Sequence, residues 1–268
     1  MNRSLLLPAA PQAAPRTRPT QLVRAVLLAG LTLAALSPAR ADTTLTFGTQ
    51  ASGELTVQRA FTIDGLQIAG YSFDPDAQPS DVVGAIIDGT DAVAACGALQ
   101  CPASDGSYLT GLNDGIIEIT STTPGQLLSL NSFDASFLGS SSFSYPATAG
   151  LLVVRGFIAG GGFDQVTYAL AGPGASGFQF GMYNTAADFG MSKYLGFDFF
   201  GAVCDDSGSC YAGSTGRGQF AIDNISFGAS AVTPVPEPQT WLMLGAGLLA
   251  VGTAARRRRA AARSARAA

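Results

Sequence analysis

The reactive side chains of this 268-residue chain are carboxylates and four cysteines, because the sequence contains no histidine. Histidine is the commonest general acid or base and a frequent metal ligand at neutral pH. Its absence excludes Ser-His-Asp triads, Cys-His dyads and histidine zinc sites. The composition therefore favours binding or structure over catalysis, and we expect a protein that is not an enzyme.

The four cysteines form two closely spaced pairs in segments rich in Gly, Ser and Asp. In an exported chain the spacing favours two local disulfides, Cys96–Cys101 and Cys204–Cys210, over the two other pairings. A zinc site is the alternative interpretation. The spacing between the cysteines matches no common zinc-ligand pattern, so we expect disulfides.

Two carboxylates acting as acid and base, as in glycosidases, form the enzyme alternative. Residues 42–230 contain only two glutamates, Glu54 and Glu118. Glu118 lies between Ile117 and Ile119, so a strand would place it on the opposite face from both isoleucines. The sequence identifies no partner for it at a catalytic distance, and a solvated surface glutamate is the simpler interpretation.

Residues 42–230 also contain the elements that would position these groups. Runs of strand-forming residues alternate with Gly, Asn, Asp, Ser and Pro, and helical periodicity is nearly absent. We expect one all-β domain, an antiparallel β-sandwich or jelly roll, with a short helix near Asp91–Ala95. The predicted strands cover 44–47, 54–58, 66–73, 82–87, 116–120, 126–133, 150–158, 165–170, 177–180, 193–200 and 219–227. Asp-Gly and Asn-Asp-Gly sequences predict hairpin turns at 64–65, 88–89, 105–106 and 113–115.

Charge is segregated along the chain. The net charge of −4 combines eleven basic residues near the two ends with a segment, 42–230, that has four basic residues against eighteen acidic ones. That segment therefore carries a net charge of −14. A field of that sign argues against nucleic acid and anionic lipid as partners, since both need clustered Lys or Arg. Cations and neutral polymers remain candidate ligands.

Residues 1–41 have the three parts of a secretory signal peptide. Basic residues between positions 3 and 24 precede the apolar run 25–36, and Ala39-Arg40-Ala41 forms an A-x-A cleavage site. Ala39 and Ala41 are the small residues that signal peptidase requires. We expect cleavage before Asp42 and export of the chain.

The C-terminal residues combine an apolar segment with clustered arginines. The uncharged run 241–255 would span ~22 Å as a helix, which is short of a ~30 Å hydrocarbon core unless residues 239–240 and snorkelling arginines extend it. Arg256–Arg259 mark the cytoplasmic side. We predict a transmembrane helix over 239–255, a cytoplasmic tail over 256–268 and a domain outside.

Val235, Pro236, Glu237 and Pro238 immediately precede this segment. A Pro-Glu-Pro motif, a short apolar helix and an arginine cluster in this order resemble the PEP-CTERM sorting signal of Gram-negative bacteria. The resemblance implies that residues 231–268 are a linker and sorting signal recognised by an exosortase, a membrane protease that cleaves near the motif. Proteins of this kind are associated with exopolysaccharide and biofilm or floc matrix. An ordinary C-terminal anchor is the alternative.

The resemblance predicts the location and role of the protein. We expect a secreted or cell-surface, non-catalytic matrix protein of a Gram-negative bacterium, processed by signal peptidase and exosortase, with its precursor in the inner membrane. Extracellular polysaccharide is the candidate partner. A carbohydrate-active enzyme using carboxylates and a purely structural matrix protein are the alternatives.

The last predicted strand carries a second resemblance. Gln219, Phe220 and Asp223 look like the terminal QFxxD motif of a PEP-CTERM protein family, and the upstream strands are similar in style to carbohydrate-binding jelly rolls. The likeness implies a structural calcium ion held by Asp223. In residues 219–227 the apolar alternation slips at Asn224, which predicts a bulge.

Sugar binding would require exposed aromatic rings, because apolar sugar faces stack on them. The only tryptophan, Trp241, lies in the predicted membrane segment. The tyrosines that could replace it are Tyr71, Tyr108, Tyr145, Tyr183 and Tyr211.

Overall fold

The computed structural model describes residues 41–213, 216–230, 247–249, 251–252 and 256, and structural statements below refer to these residues. In chain order the strands are β1 (Ala41–Leu45), β2 (Gly53–Thr56), β3 (Ala60–Ile63), β4 (Leu66–Ser72), β5 (Val82–Asp88), β6 (Leu99–Gln100), β7 (Ser107–Gly111), β8 (Gly115–Ser121), β9 (Leu127–Phe137), β10 (Gly139–Ser140), β11 (Thr148–Phe157), β12 (Phe163–Ala171), β13 (Gly181–Asn184), β14 (Gly196–Cys204), β15 (Cys210–Tyr211) and β16 (Phe220–Ser230). The helices are a 3₁₀ turn (Gly89–Asp91), α1 (Ala92–Cys96) and α2 (Ala187–Met191).

Two seven-stranded sheets account for most of these strands, and their strand pairs are antiparallel. Sheet A has the order β13-β9-β16-β7-β5-β2, with β1 beside β16. Sheet B has the order β12-β11-β14-β8-β4-β3, with β15 beside β14. The predicted all-β, antiparallel, sandwich-like fold is confirmed.

Most of the hydrophobic core lies between the two sheets, in a large cluster of apolar side chains from both. A second, smaller cluster contains Ile87, Tyr108, Leu138 and Ala221. In sheet B the large cluster includes Ile117 and Ile119 of β8 and Phe199 of β14, all fully buried. Because side chains alternate along a strand, Glu118 and Asp198 project from the opposite, outer face of sheet B. The predicted orientation of Glu118 is confirmed.

Close contact between β7 and β16 requires a glycine. Gly111 of β7 lies opposite Phe220 of β16, and a Cβ at Gly111 would overlap the Phe220 ring. Phe220 is fully buried and belongs to the core cluster. Because glycine has no side chain, the Phe220 ring can pack directly against the backbone of β7.

One of the four predicted hairpins is found. Asp64 and Gly65, with φ of 50° and 78°, join β3 to β4 and place Ile63 opposite Leu66. Residues 88–89 instead lead into the 3₁₀ turn, and residues 105–106 precede β7 without pairing it to β6. These two hairpin predictions are wrong.

The predicted hairpin at 113–115 is also wrong, because this turn carries the chain from β7 in sheet A to β8 in sheet B. The Asp114 carboxylate accepts hydrogen bonds from the N–H groups of Gly216 and Gly218, at 2.5 and 2.6 Å. These bonds tie the turn to the segment before β16. The turn is therefore a crossing between sheets, held by a distant loop.

Several other predictions about elements are tested. The helix predicted near Asp91–Ala95 is α1, and the Asp91 carboxylate accepts the N–H of Ala94. The bulge predicted at Asn224 is confirmed by its φ of 50° and by a register shift after Asp223. The strand predicted at 177–180 is wrong, since Phe178 is a buried core residue of a loop and the strand begins at Gly181.

The predicted targeting segments fall largely outside the described residues. They include Ala39, the motif 235–238 and most of the predicted transmembrane segment 239–255. Across the part of the chain that the structure describes, no helix is long and apolar enough to cross a membrane.

Candidate functional site

The outer face of sheet B carries a row of polar side chains that crosses four adjacent strands. The register places Gln165 of β12 opposite Arg155 of β11, Arg155 opposite Asp198 of β14, and Asp198 opposite Glu118 of β8. We term these four residues the carboxylate row. At ordinary strand spacing the row is about 14 Å long. Gln165 is exposed and the other three are half-buried, so a ligand lying across the strands can reach all four.

An apolar row lies beside the carboxylate row on the same face. Its members are Val153, Phe200, Ile116 and Tyr71, which are in register across β11, β14, β8 and β4. Val153 and Phe200 are buried, whereas 39% of the Tyr71 side chain is exposed. Tyr71 therefore presents an aromatic ring next to the carboxylates.

Two rings and an amide hold Arg155 in place. Its Cζ lies 4.8 Å from the centroid of the Phe163 ring and 4.7 Å from that of the Phe200 ring. Its Nε donates a hydrogen bond of 2.9 Å to Oε1 of Gln165. Cation–π contacts and this bond fix the guanidinium beside Asp198. Since a guanidinium has five N–H donors and this bond uses one, the group is suited to donate to a ligand as well.

The two facing carboxylates have raised pKa values. Burial, followed by the negative charge of Glu118, raises the pKa of Asp198 to about 7, although Arg155 opposes the shift. Burial also raises the pKa of Glu118, and a hydrogen bond from Tyr71 partly offsets that effect. Asp198 therefore exchanges its proton near neutral pH, which changes the charge of the row by one.

This arrangement can recognise a ligand that is rich in hydroxyl groups. Carboxylate oxygens accept hydrogen bonds from hydroxyls, and Arg155 and Gln165 donate to them. Tyr71 and Phe163 add ring surface at the two sides of the row, with 39% and 52% of their side chains exposed. Polar groups that fix orientation beside aromatic rings are typical of a sugar-binding surface.

The sequence identified Glu118 but missed Asp198. The available signal was a single acidic residue in the apolar run Leu195–Phe200, at the alternate position from Phe197 and Phe199. It predicts an outward carboxylate on a buried strand. It does not predict that β14 lies beside β8, which brings the two carboxylates together.

Of the five candidate tyrosines, Tyr71 lies on this face. Tyr108 is fully buried, and its hydroxyl donates to the carbonyl of Pro102 at 2.9 Å, so a role for it in sugar stacking is wrong. Tyr145 and Tyr183 pack against core phenylalanines. Tyr211 is 49% exposed on β15 and is outside both rows.

Asp223 of β16 lies opposite Asp134 of β9. Its Oδ1 is buried and has no hydrogen-bond partner among the described residues. Burial raises the pKa of Asp223, and the charge of Asp134 contributes to the same shift. Asn224 donates to Oδ2 of Asp134 at 2.8 Å. Three aspartates, Asp105, Asp134 and Asp223, line a cavity of about 280 Å³ together with Asn224.

The fit of this cavity to calcium is incomplete. Calcium takes six to eight oxygen ligands. Within the described ranges, no group of three or more Cys, Asp or Glu side chains is arranged to hold a metal ion. The predicted calcium ion stays a hypothesis that depends on the unpaired Oδ1 of Asp223.

The other two residues of the predicted QFxxD motif have structural contacts. Phe220 is fully buried in the core, and the Nε2 of Gln219 donates to the carbonyl of Gly216 at 3.0 Å. Gln219 therefore holds the segment that Asp114 also binds. These contacts indicate that Gln219 and Phe220 stabilise the fold where β16 begins.

Both predicted disulfides are present. Cys96–Cys101 joins the end of α1 to the residue after β6, and Cys204–Cys210 closes the turn between β14 and β15. In that turn, Oδ1 of Asp205 accepts the N–H groups of Ser207 and Ser209, at 2.9 and 3.0 Å. The cysteines stabilise loops, as the sequence predicts.

A groove of about 630 Å³ lies against sheet A, between β2, β5 and α1. Glu54, Asp88 and Asp91 lie among its mostly apolar lining residues. Asp88 accepts hydrogen bonds from the N–H and hydroxyl of Thr90, and Asp91 caps α1. Two of its three carboxylates are therefore used in local structure.

Several solved structures are distantly similar to this chain. A DUF4465 family protein from Bacteroides ovatus is 7% identical, with a TM-score of 0.36, covering 71% of this chain and 99% of its own. A family 29 carbohydrate-binding module is 10% identical, with a TM-score of 0.31, and the coverages are 70% and 97%. A family 61 module solved with β-1,4-galactotriose is 9% identical, with a TM-score of 0.29 and coverages of 61% and 88%. Similarity at these TM-scores carries no argument about the ligand or site of this chain.

Comparison with known protein families identifies a motif near the C-terminus. No curated protein matches the chain significantly. Residues 234–259 match the family model described as the PEP-CTERM protein-sorting motif, in the segment where the sequence predicts it. The chain therefore carries a PEP-CTERM protein-sorting motif after its β-sandwich domain.

Proposed function

We propose that this chain is an exported, exosortase-processed protein of the cell surface or extracellular matrix that binds polysaccharide without chemically changing it. Export is supported by the sorting motif at residues 234–259. Binding is supported by one observation, the carboxylate row on the outer face of sheet B. The proposal joins a targeting signal to a surface that suits a hydroxyl-rich polymer.

The proposed processing uses both ends of the precursor. Signal peptidase cleaves after Ala41, and exosortase cleaves near Val235–Pro238. The precursor lies in the inner membrane with its C-terminus in the cytoplasm. The sorting motif begins four residues after Ser230, the last residue of β16. The domain is thus complete before the segment that the exosortase reads.

Charge favours an uncharged polysaccharide as the ligand. When Asp198 carries a proton, the positive charge of Arg155 balances the negative charge of Glu118 across the row. The surrounding domain carries a net charge of −14, which repels anionic polymers such as uronic-acid polysaccharides. A neutral glycan avoids that repulsion and still supplies hydroxyl groups for both carboxylates.

The binding proposal predicts weaker polysaccharide binding when the Arg155 side chain of the carboxylate row, or the neighbouring Tyr71 ring, is removed. We expect Arg155→Ala and Tyr71→Ala each to weaken binding about tenfold or more, because each removes a contact worth roughly 1.4 kcal/mol. Isothermal titration calorimetry of the exported, processed protein against dextran, pullulan, galactan and glucomannan measures this effect. Alginate serves as the anionic comparison.

A matched control lies on the other sheet. Glu54→Gln removes a carboxylate of β2 on sheet A and should leave affinity unchanged. Binding that survives both Arg155→Ala and Tyr71→Ala, or that is lost in Glu54→Gln, would contradict the assignment of sheet B. Binding to none of the neutral polymers would favour a purely structural matrix protein.

The second candidate function is a carbohydrate-active enzyme. The observation in its favour is the facing pair Glu118 and Asp198, since side chains at directly opposite positions of adjacent strands are neighbours. Retaining glycosidases hold their carboxyl groups about 5–5.5 Å apart. The pair lies on the outer face of sheet B beside Arg155, Gln165 and Tyr71, so we favour binding. Release of reducing ends by the wild type, lost in Glu118→Gln, would overturn the non-catalytic proposal.

A further inference from the structure

We propose that the carboxylate row takes up a proton when a glycan covers it, so that binding becomes stronger as the pH falls. The inference rests on the proposed function and adds that pH regulates polysaccharide binding. It starts from geometry: Glu118 and Asp198 face each other on adjacent strands, and both are half-buried. The ligand that covers the row must cover both carboxylates together.

Covering the pair removes water that solvates its charges. Two like charges at neighbouring positions in a less polar environment repel each other more strongly, and the loss of water disfavours each charged form. Neutralising one carboxylate removes the repulsion and leaves a hydroxyl that can donate to the ligand. The covered row therefore favours a single negative charge.

The neighbouring groups determine which carboxylate takes the proton. On this face β4 contributes the Tyr71 hydroxyl, which hydrogen-bonds to Glu118 and favours its charged form. From the other side β11 contributes the guanidinium of Arg155, and β12 contributes the uncharged Gln165. Arg155 does not offset the effects of burial and of Glu118 on Asp198, whose pKa is about 7 before any ligand binds. Asp198 is therefore the residue that we expect to be protonated.

Linkage gives the direction of the pH effect. A ligand that raises the pKa of Asp198 above its free value binds more tightly to the protonated protein, by the same factor. Affinity should be constant and high well below pH 7. Above pH 7 it should fall, by up to tenfold for each pH unit, until the pKa of the bound form is passed.

Calorimetry of the exported, processed protein tests this inference. The neutral polymer that binds in the panel above is titrated from pH 5.5 to 8.5, at each pH in two buffers with different ionisation enthalpies. Near pH 7.5 we expect the observed enthalpy to depend on the buffer, because binding takes up a fraction of a proton. Asp198→Asn removes the group that takes up the proton, so its affinity should lose the decline above pH 7 and its enthalpy near pH 7.5 should not depend on the buffer.

Control variants separate the possible outcomes. Glu54→Gln, on sheet A, should retain the wild-type pH profile. Circular dichroism and thermal melting establish that each variant is folded. Affinity that does not change from pH 5.5 to 8.5, or an Asp198→Asn protein that keeps the wild-type profile, overturns the inference and leaves polysaccharide binding intact. Absence of binding at every pH overturns the proposed function and this inference together.

Discussion

Asp198 is held in a position that disfavours its charged form. In an unfolded chain an aspartate has a pKa near 3.9, whereas burial and Glu118 raise the pKa of Asp198 in the folded protein to about 7. The folded state therefore binds more protons than the unfolded state between these two values. This residue makes the folded protein less stable as pH rises from about 4 to 7.

Replacing Asp198 with Asn should remove that loss of stability. We expect Asp198→Asn to melt a few degrees above the wild type at pH 8 and at the same temperature near pH 4, since the charge cost exists only at the higher pH. Thermal melts followed by circular dichroism measure the difference. Glu54→Gln is the control, and an equal gain at both pH values would show that charge is not the cause.

The calcium hypothesis can be tested through Asp223, the residue predicted to hold the ion. If the unpaired Oδ1 of Asp223 holds calcium, the ion should raise the melting temperature, and EDTA should lower it, because the ion binds only the folded state. Asp223→Asn should lose that response, whereas Asp76→Asn, in an exposed loop, should keep it. A melting temperature that EDTA leaves unchanged would count against the ion.

The sequence could not predict the whole site, because the site depends on which strands are neighbours and on which residues their register places opposite each other. Alternation within one strand correctly placed Glu118 outward, and the same reasoning applies to Asp198. The two residues are far apart in the sequence, and nothing local indicates that β8 and β14 are neighbours. Arg155 and Gln165 were missed for the same reason, because their meeting depends on how β11 and β12 pair.

At the scale of elements, the close contact of β7 with β16 depends on a missing side chain. We expect Gly111→Ala to destabilise the domain by about 1–3 kcal/mol, because the new methyl group would overlap the buried Phe220 ring. Chemical denaturation measures this free energy of unfolding. Gly48→Ala is the matched control, since a Cβ at Gly48 meets no atom within 4 Å. Equal stabilities of the two variants would contradict this account of the contact.

Most strands could be predicted because they are apolar runs between turn residues, but their connections could not. The sequence Asn113-Asp114-Gly115 is a good hairpin signal, yet Asp114 binds the segment before β16 and the chain changes sheets there. Phe178 led to the wrong strand prediction at 177–180. In the sequence, a loop residue whose side chain fills the core cannot be distinguished from a buried strand residue. Both errors arise because long-range contacts outweigh local preference.

At the scale of the whole molecule, the two ends of the precursor should be absent from the exported protein. We expect intact-mass and peptide analysis of secreted protein to find an N-terminus at Asp42 and a C-terminus before Trp241. This outcome removes the eleven terminal basic residues and leaves a strongly acidic domain. A retained segment beyond Trp241 would instead indicate an ordinary membrane anchor.

The first and last strands of the domain lie side by side. Asp42 pairs with Gly228, and β16 is bonded to β9 along most of its length on its other side. A polymer bound to sheet B and a tether at Ser230 would pull β16 along its own axis, against the bonds on both sides. Such a load must break many bonds at once instead of one after another. We therefore expect β16, paired on both sides, to resist a pull applied at Ser230, the end by which the precursor is held.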